Sequence, residues 1–378
     1  MNNAKIIPFH IPFVSGDEEK FLQEAISRAE FSGDGYFTKA CEQSLKQIAP
    51  THKVLLTSSC TGALEMAAIL CEIQPGDEVI MPSYNFVSAG NAFVLRGAKL
   101  VFVDIEPGTM NMDISLLGAA ITSRTKAIVV IHYGGVACPM DELMAIAEEN
   151  GILVIEDAAH CIGAYYKERH LGTIGHLGAI SFHATKNIQC GEGGCLLVND
   201  TSLVERAEIV REKGTNRKAF LMGQVDKYSW IDIGSSYLMS ELNAAFLFGQ
   251  LPHWATVKKQ RKDSVAAYRT QLDNIKEHID LPDIPDAAES NHHLFFIRCK
   301  NKATRLGLQL FLKRQGIAAY FHYVPLHSSR AGKQFGRFCG TDKYTTKAST
   351  TLLRLPLFPG MSDVTYITTS IKAYYDDI

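Results

Sequence analysis

The sequence predicts an α/β protein, with a large, mostly parallel sheet layered by helices and a smaller C-terminal α+β unit. Three observations lead there. From about Lys53 to Asp200 short apolar, β-branched runs alternate with helical stretches, the alternation that builds sheets covered on both faces. From Leu203 onward the segments lengthen and become helical, and beyond Leu281 a strand, a helix and a second strand follow in compact order. A length of 378 residues suits one large domain and one smaller one. The boundary is drawn between residues 250 and 251, giving 1–250 with N-terminal helices and 251–378.

The strands expected in the first part are 54–57, 78–81, 99–103, 127–131, 153–156, 179–182 and 195–198, all nearly continuous in apolar residues, as fully covered strands are. Helices are expected over 61–71, 86–96, 114–121 and 140–150, the last closing on Gly151. Farther on come a helix over 239–250, a Lys-rich bridging stretch over 256–279 and the Pro-bearing segment 281–286. A strand over 293–299, a helix over 303–315, a strand around 318–322 and helices over 344–353 and 363–375 complete the chain.

Composition narrows the function classes. The chain is 46% hydrophobic and 21% charged, with a formal net charge of -2, the profile of a globular enzyme and not of a nucleic-acid binder. The stretch Met1 to His10 lacks a charged then apolar leader pattern, and no run is long and apolar enough for a bilayer, so a cytoplasmic address and no membrane partner are expected. Nine cysteines in scattered positions suit reduced core residues better than disulfides. His160, Cys161, His170, His176, His183, Cys190 and Cys195 crowd one stretch without C-x-x-C or H-x-x-x-H spacing, so no metal is expected.

Three segments carry candidate chemistry. Ser181 to Asn187 followed by Gly191 to Gly194 sets Lys186 just past an apolar strand and before a glycine-rich loop. A lysine desolvated there has a lowered pKa and can form Schiff bases, although an exposed loop lysine has the same spacing. Ile155 to His160 places Asp157 at the end of an apolar run, where open α/β sheets hold ligands. A carboxylate buried there wants a cation such as a protonated ring nitrogen; it could equally cap the next turn. Thr57 to Leu64 is a hydroxyl-rich strand-to-helix junction, suited to a phosphate or, more plainly, to an N-cap. No G-x-G-x-x-G follows the first strand, only Gly33-Asp34-Gly35 outside that context, and no P-loop is present.

Taken together these residues resemble the DegT/DnrJ/EryC1/StrS family of nucleotide-sugar aminotransferases that depend on pyridoxal 5′-phosphate (PLP), from about Ile6 to the C-terminus. Ser181 to Gly194 resembles the family's cofactor-lysine motif, Asp157 to His160 its Asp-x-x-His/Gln motif, and Ser59 to Leu64 its phosphate loop. The resemblance implies a type I, aspartate aminotransferase-like fold, with PLP bound by Lys186, Asp157, His160, Ser59, Cys60, Thr61 and Ser181. Phe86, in Pro82 to Val87, matches the aromatic that stacks on the cofactor ring, unless it is an ordinary core aromatic. Phe321 to His327 matches a Tyr-x-Pro-Leu-His element near the sugar, which points to Tyr323 and His327, with packing as the other reading. Ser32 to Thr38 resembles a glycine turn near the sugar nucleotide, pointing to Gly33 and Tyr36, or else is a plain loop.

Gly234 to Ser240 departs from the family pattern, since Ser236 stands where most members carry an Asn that reaches the neighbouring subunit's phosphate, and Leu238 where they carry Arg. The resemblance implies L-glutamate and a dTDP-keto sugar as substrates, a homodimer with shared sites, and work in bacterial surface-polysaccharide synthesis. Related dehydratases carry His in place of the lysine, which Lys186 argues against. A non-catalytic regulator keeping the fold and a nicotinamide oxidoreductase are the rival readings.

Overall fold

A computed structural model describes residues 6–376; Met1–Lys5, half of the stretch read for a leader, lie outside it. Eight strands form the large sheet: β1 (Lys53–Thr57), β2 (Glu78–Pro82), β3 (Lys99–Val103), β4 (Thr125–Ile131), β5 (Leu153–Asp157), β6 (Leu177–Ser181), β7 (Gly194–Val198) and β8 (Gly336–Phe338). Their spatial order is β1-β7-β6-β5-β4-β2-β3-β8. β7 runs antiparallel to both neighbours, and every other pairing is parallel.

The continuous apolar runs are explained by burial on both faces. Leu56, Ile80, Val101, Ile128, Val154 and Ile180 join one buried cluster, while Leu55, Val79, Leu100, Val129, Ile155 and Ala179 join another. That is the period-two alternation of a pleated strand, and each buried Val, Leu or Ile contributes about 1.5–3 kcal/mol of transfer free energy. Helices Tyr36–Ile48 and Met140–Asn150 cover the first face, and Cys60–Leu70 and Val87–Val94 the second. A third cluster gathers helices Trp254–Leu272, Lys302–Arg314 and Val364–Asp376 against the small sheet of Ile279–Asp280, Phe295–Cys299 and Leu352–Leu355, with Ile7 joining from the N-terminal end.

All seven strands expected in the first part form, within two residues at each end. Elsewhere the structure differs from the expectation, in four places that bear on the site or the main sheets. Residues 114–121 split into a 3₁₀ turn Ile114–Leu116 and a short helix Leu117–Ala120. The helix expected over 344–353 stops at Thr351, because Leu352, Leu353 and Leu355 pair with Phe295 to Arg298 as a strand. No strand forms over 318–322. Only Tyr320 pairs there, with Arg354, and the chain then turns so that Phe321 to Val324 wall the main cavity. Gly336–Phe338, unread as a strand, extends the large sheet beside β3 although it lies far beyond residue 250; its pairing depends on a partner distant in sequence. Among the described residues no helix is long and apolar enough to cross a membrane, and no cluster of three His, Cys, Asp or Glu side chains could hold a metal.

Candidate active site

The parallel strands β1, β5 and β6 end on the same side of the sheet, and a cavity of about 670 Å³ opens there. Asp157 is the last residue of β5, its backbone held between Ile131 of β4 and Ala179 of β6. The side chain is 5% exposed, and one oxygen accepts a hydrogen bond from the Ala159 N–H at 3.2 Å. Among the described residues the other oxygen has no donor. Burial pushes this carboxyl up, opposed by the Ala159 bond and by the charges of Lys186 and His132. Such a carboxylate is short of a cation.

The strand end behind it is braced. Glu156, fully buried, accepts from the N–H groups of Gly172, Ile174 and Gly175 at 2.6–2.7 Å and bonds His132 Nε2 at 2.9 Å. Burial alone would raise the Glu156 carboxyl, and these bonds hold it below its ordinary value. A charge so fully bonded fixes the register of β5, and with it the position of Asp157. Nothing in the spacing of Glu156 and His132 announced this pair, whose partners meet only across strands.

Lys186 lines the same cavity from the loop after β6. Paired bonds hold that loop: Phe182 N–H to Gly193 O and Ala184 N–H to Gly191 O, both 2.8 Å, with Gly191 at φ 78°. The reading of Lys186 as an exposed loop residue does not hold, since its amine is enclosed and burial pushes its pKa down. It donates no hydrogen bond to any described residue.

The third wall is the start of helix Cys60–Leu70. Ser59 caps it, its oxygen accepting from Gly62 N–H at 3.0 Å, so the N-cap reading of this segment is correct, with Ser59 as the cap. The N–H groups of Cys60 and Thr61 have no acceptor among the described residues, and both residues line the cavity. Two free N–H groups at the positive end of an 11-residue helix fit a phosphate. Gly194 lets this turn sit close, because a Cβ there would collide with Cys60 N and the Ser59 carbonyl carbon. Gly194→Ala should therefore destabilise the fold by about 3 kcal/mol and loosen anion binding; urea unfolding with a loss below about 0.5 kcal/mol would count against this packing.

Ser181, at the end of β6, also lines the cavity. Phe86 is 53% exposed at the start of helix Val87–Val94 and lines the cavity, so it is no core aromatic. His160 lies flat against His293, ring centroids 4.3 Å apart, and its Nδ1 accepts from Gly134 N–H at 3.3 Å. Burial, with Lys186, His322 and Arg354 nearby, drives its pKa well down and keeps the ring neutral. Tyr323 faces the cavity 6.1 Å from the Phe86 ring.

Four sequence candidates do not line this cavity. His327 bonds Ser83 Oγ at 2.6 Å, pairs with Asp342 at 3.3 Å and packs on Phe338, which is the packing reading of that residue. Gly33 is pressed against Met239 and Leu238, where no Cβ fits. Tyr36 is 46% exposed with the Arg28 guanidinium 3.8 Å from its ring centre, and Ser236 bridges to Glu212. In return the structure brings in Phe9, His10, Arg261, His293, Tyr320 and Arg354, which no local motif marks.

The family model for "DegT/DnrJ/EryC1/StrS aminotransferase family" matches residues 14–372. The chain belongs to this family. It is accordingly an aminotransferase with an α/β fold built on a large, mostly parallel sheet. It is 32% identical over 369 residues to SpsC, a spore coat polysaccharide biosynthesis protein of Bacillus subtilis, covering 94% of this chain and 93% of that protein. The aminotransferase TlmJ of Streptoalloteichus hindustanus superposes with a TM-score of 0.91 at 26% identity, over 99% of this chain and 100% of TlmJ. Spr1654 of Streptococcus pneumoniae, designated a sugar aminotransferase and also solved in apo and PMP forms, matches in its PLP form with a TM-score of 0.90 at 26% identity, over 99% of both chains.

Proposed function

We propose that this aminotransferase binds PLP and moves the amino group of L-glutamate onto C4 of dTDP-4-keto-6-deoxy-glucose, giving the 4-amino-4,6-dideoxy-galactose product for surface-polysaccharide synthesis. The observation that carries the reading is one cavity lined by an amine, a cation-seeking carboxylate and a helix start with two free N–H groups. Those three groups match the aldehyde, ring nitrogen and phosphate of PLP. The SpsC relationship supports a polysaccharide role.

When bound, PLP supplies an aldehyde that condenses with amines and a ring that accepts electrons. The protein's residues do the rest. Lys186 holds the cofactor covalently and then, as a free amine, takes the proton from the glutamate α-carbon and in the second half-reaction delivers one to C4 of the sugar. Asp157 would keep the ring nitrogen protonated, Ser59, Cys60, Thr61 and Ser181 would hold the phosphate, Phe86 would stack on the ring, and neutral His160 would hold the phenolic side of the ring. Tyr323 faces the sugar.

Gly33, Tyr36 and Ser236, which do not line the cavity of their own chain, serve the partner's site in a homodimer. Exposed Tyr36, Leu221 and Trp230 support such an interface. His327 acts on the substrate only indirectly, through the strap 321–327. The division into a large domain 1–250 and a smaller domain 251–378 is part of the proposal, supported by the separate apolar cluster that runs from Val265 to Tyr375 and takes in Ile7.

Holoenzyme mixed with L-glutamate should lose the absorbance of lysine-bound PLP, and adding dTDP-4-keto-6-deoxy-glucose should restore it. NMR of the product should show an axial amine at C4. An equatorial amine or amination at C3 would refute the assigned product, and no spectral response to glutamate would leave a non-catalytic binder.

A further inference from the structure

The three residues 291–293, which lead into strand Phe295–Cys299, fasten two loops of the large sheet to one another. Asn291 is fully buried. Its amide donates to the carbonyls of His160 at 2.7 Å and Ile162 at 2.8 Å, and its own backbone carbonyl accepts from the Asn187 amide at 3.3 Å. Gly135 makes room for it, since a Cβ there would collide with the Asn291 side-chain oxygen. His293, in the cavity wall, bonds Asn187 Oδ1 through Nδ1 at 2.9 Å and lies on the His160 ring with the two planes 25° apart. His160 belongs to the loop that follows Asp157, and Asn187 is the residue after Lys186. One ring therefore touches both arms of the site.

The hydrogen bonds fix the proton on each ring. His160 Nδ1 accepts from the Gly134 backbone N–H, so the proton of the neutral ring is on Nε2. The Asn187 amide nitrogen is committed to the Asn291 carbonyl, which can only accept, so Asn187 presents its oxygen to His293, and His293 carries its proton on Nδ1. Burial drives both rings to the neutral form. The cations Lys186 and Arg354, together with His322, act on His160 in the same direction, as do His160, Lys186, Arg261 and His10 on His293. Among the described residues no carboxylate pairs with Arg354.

We propose that His293 is a positioning residue of the cofactor site: its stack aims the His160 Nε2–H at the phenolic oxygen of PLP, and its bond to Asn187 fixes the Lys186 loop relative to that donor. This inference rests on the PLP aminotransferase reading above. A donor on the phenolic oxygen favours the more negative form of lysine-bound PLP and so lowers the pH at which that species loses its proton. A slack His160 raises it. Lys186 itself is faced by Cys60, Asp157, Cys161 and Arg354, none of which the substitutions below alter.

Nitrogen NMR of the apoprotein should find the His160 ring protonated on Nε2 and the His293 ring on Nδ1, both unchanged between about pH 6 and about pH 8. Two variants separate the contacts. His293→Asn keeps an N–H near the place of Nδ1 and loses the ring, whereas His293→Phe keeps the ring and loses the N–H. Absorbance titration of the holoenzyme should show the pKa of lysine-bound PLP raised by about one unit in His293→Asn. In His293→Phe it should return to within about 0.3 unit of native, while PLP dissociates about tenfold more readily because the Lys186 loop has lost its bond. A His293 ring protonated on Nε2, or an unshifted titration in His293→Asn, would overturn the inference and leave the aminotransferase reading intact. Equal shifts in the two variants would do the same, since a residue that only fills space gives that result. A native protein without the absorbance of lysine-bound PLP would overturn the Lys186 assignment and this inference together.

Discussion

Lys186→Ala should lower turnover by about 10³-fold or more, because on the proposed mechanism one substitution removes both the covalent holder of the cofactor and the base that moves the α-proton. The fold should survive. Lys186 makes no side-chain hydrogen bond to a described residue, and burial already disfavours its charge, so truncation leaves no orphaned partner. PLP should still enter, held by the helix start at Cys60 and Thr61 and by Asp157, but without the absorbance of the lysine-bound form. Single-turnover mixing with L-glutamate measures the loss directly. A variant converting glutamate and keto sugar at the native rate would remove Lys186 from the chemistry altogether.

Asp157→Asn should cost about 10²-fold in kcat and weaken PLP retention. The amide is nearly the same shape, and the Ala159 N–H that bonds the native oxygen at 3.2 Å still meets a carbonyl oxygen. What disappears is the negative charge. Without it the ring nitrogen is not kept protonated and electron withdrawal from the α-carbon weakens. In the apoprotein the effect on stability has the opposite sign. Burial raises the Asp157 pKa above its ordinary value, so the ionised carboxylate destabilises the cofactor-free fold above the unfolded pKa, and the penalty fades as pH falls through the folded one. Apo Asp157→Asn should thus melt at or above the native apoprotein at pH 8, and PLP should raise the melting temperature of the native protein more than that of the variant. Calorimetric scans of the four samples decide it; equal PLP-induced shifts would argue against a charge contact at Asp157.

Much of the site was legible because its chemistry sits at strand ends. Asp157 closes an apolar run, Lys186 follows one, and the hydroxyl-rich turn at Ser59 separates a strand from a helix; each is a local pattern with a local physical cause. The seven strands were legible for the same reason, since burial on both faces demands continuous apolar residues. Leu352 and Leu353, the first half of the strand at 352–355, read as the end of a helix because these leucines satisfy either period, and only the ladder with Phe295 to Arg298 decides between them. Gly336–Phe338 is three residues long and has no pattern to read.

The sequence by itself determined the layered α/β class, the order of the first seven strands along the chain, and the strand-end places of the lysine, the carboxylate and the hydroxyl-rich turn, because desolvation and backbone geometry act within a few residues of each. Tertiary structure alone decided that β7 runs against its neighbours, that Glu156 and His132 brace the end of β5, that His327 packs on Ser83 and Asp342, and that Arg354 stands unpaired in the cavity wall. Each of those depends on which distant residue supplies, or fails to supply, a partner, and a partner's identity is fixed by the three-dimensional packing and not by spacing along the chain.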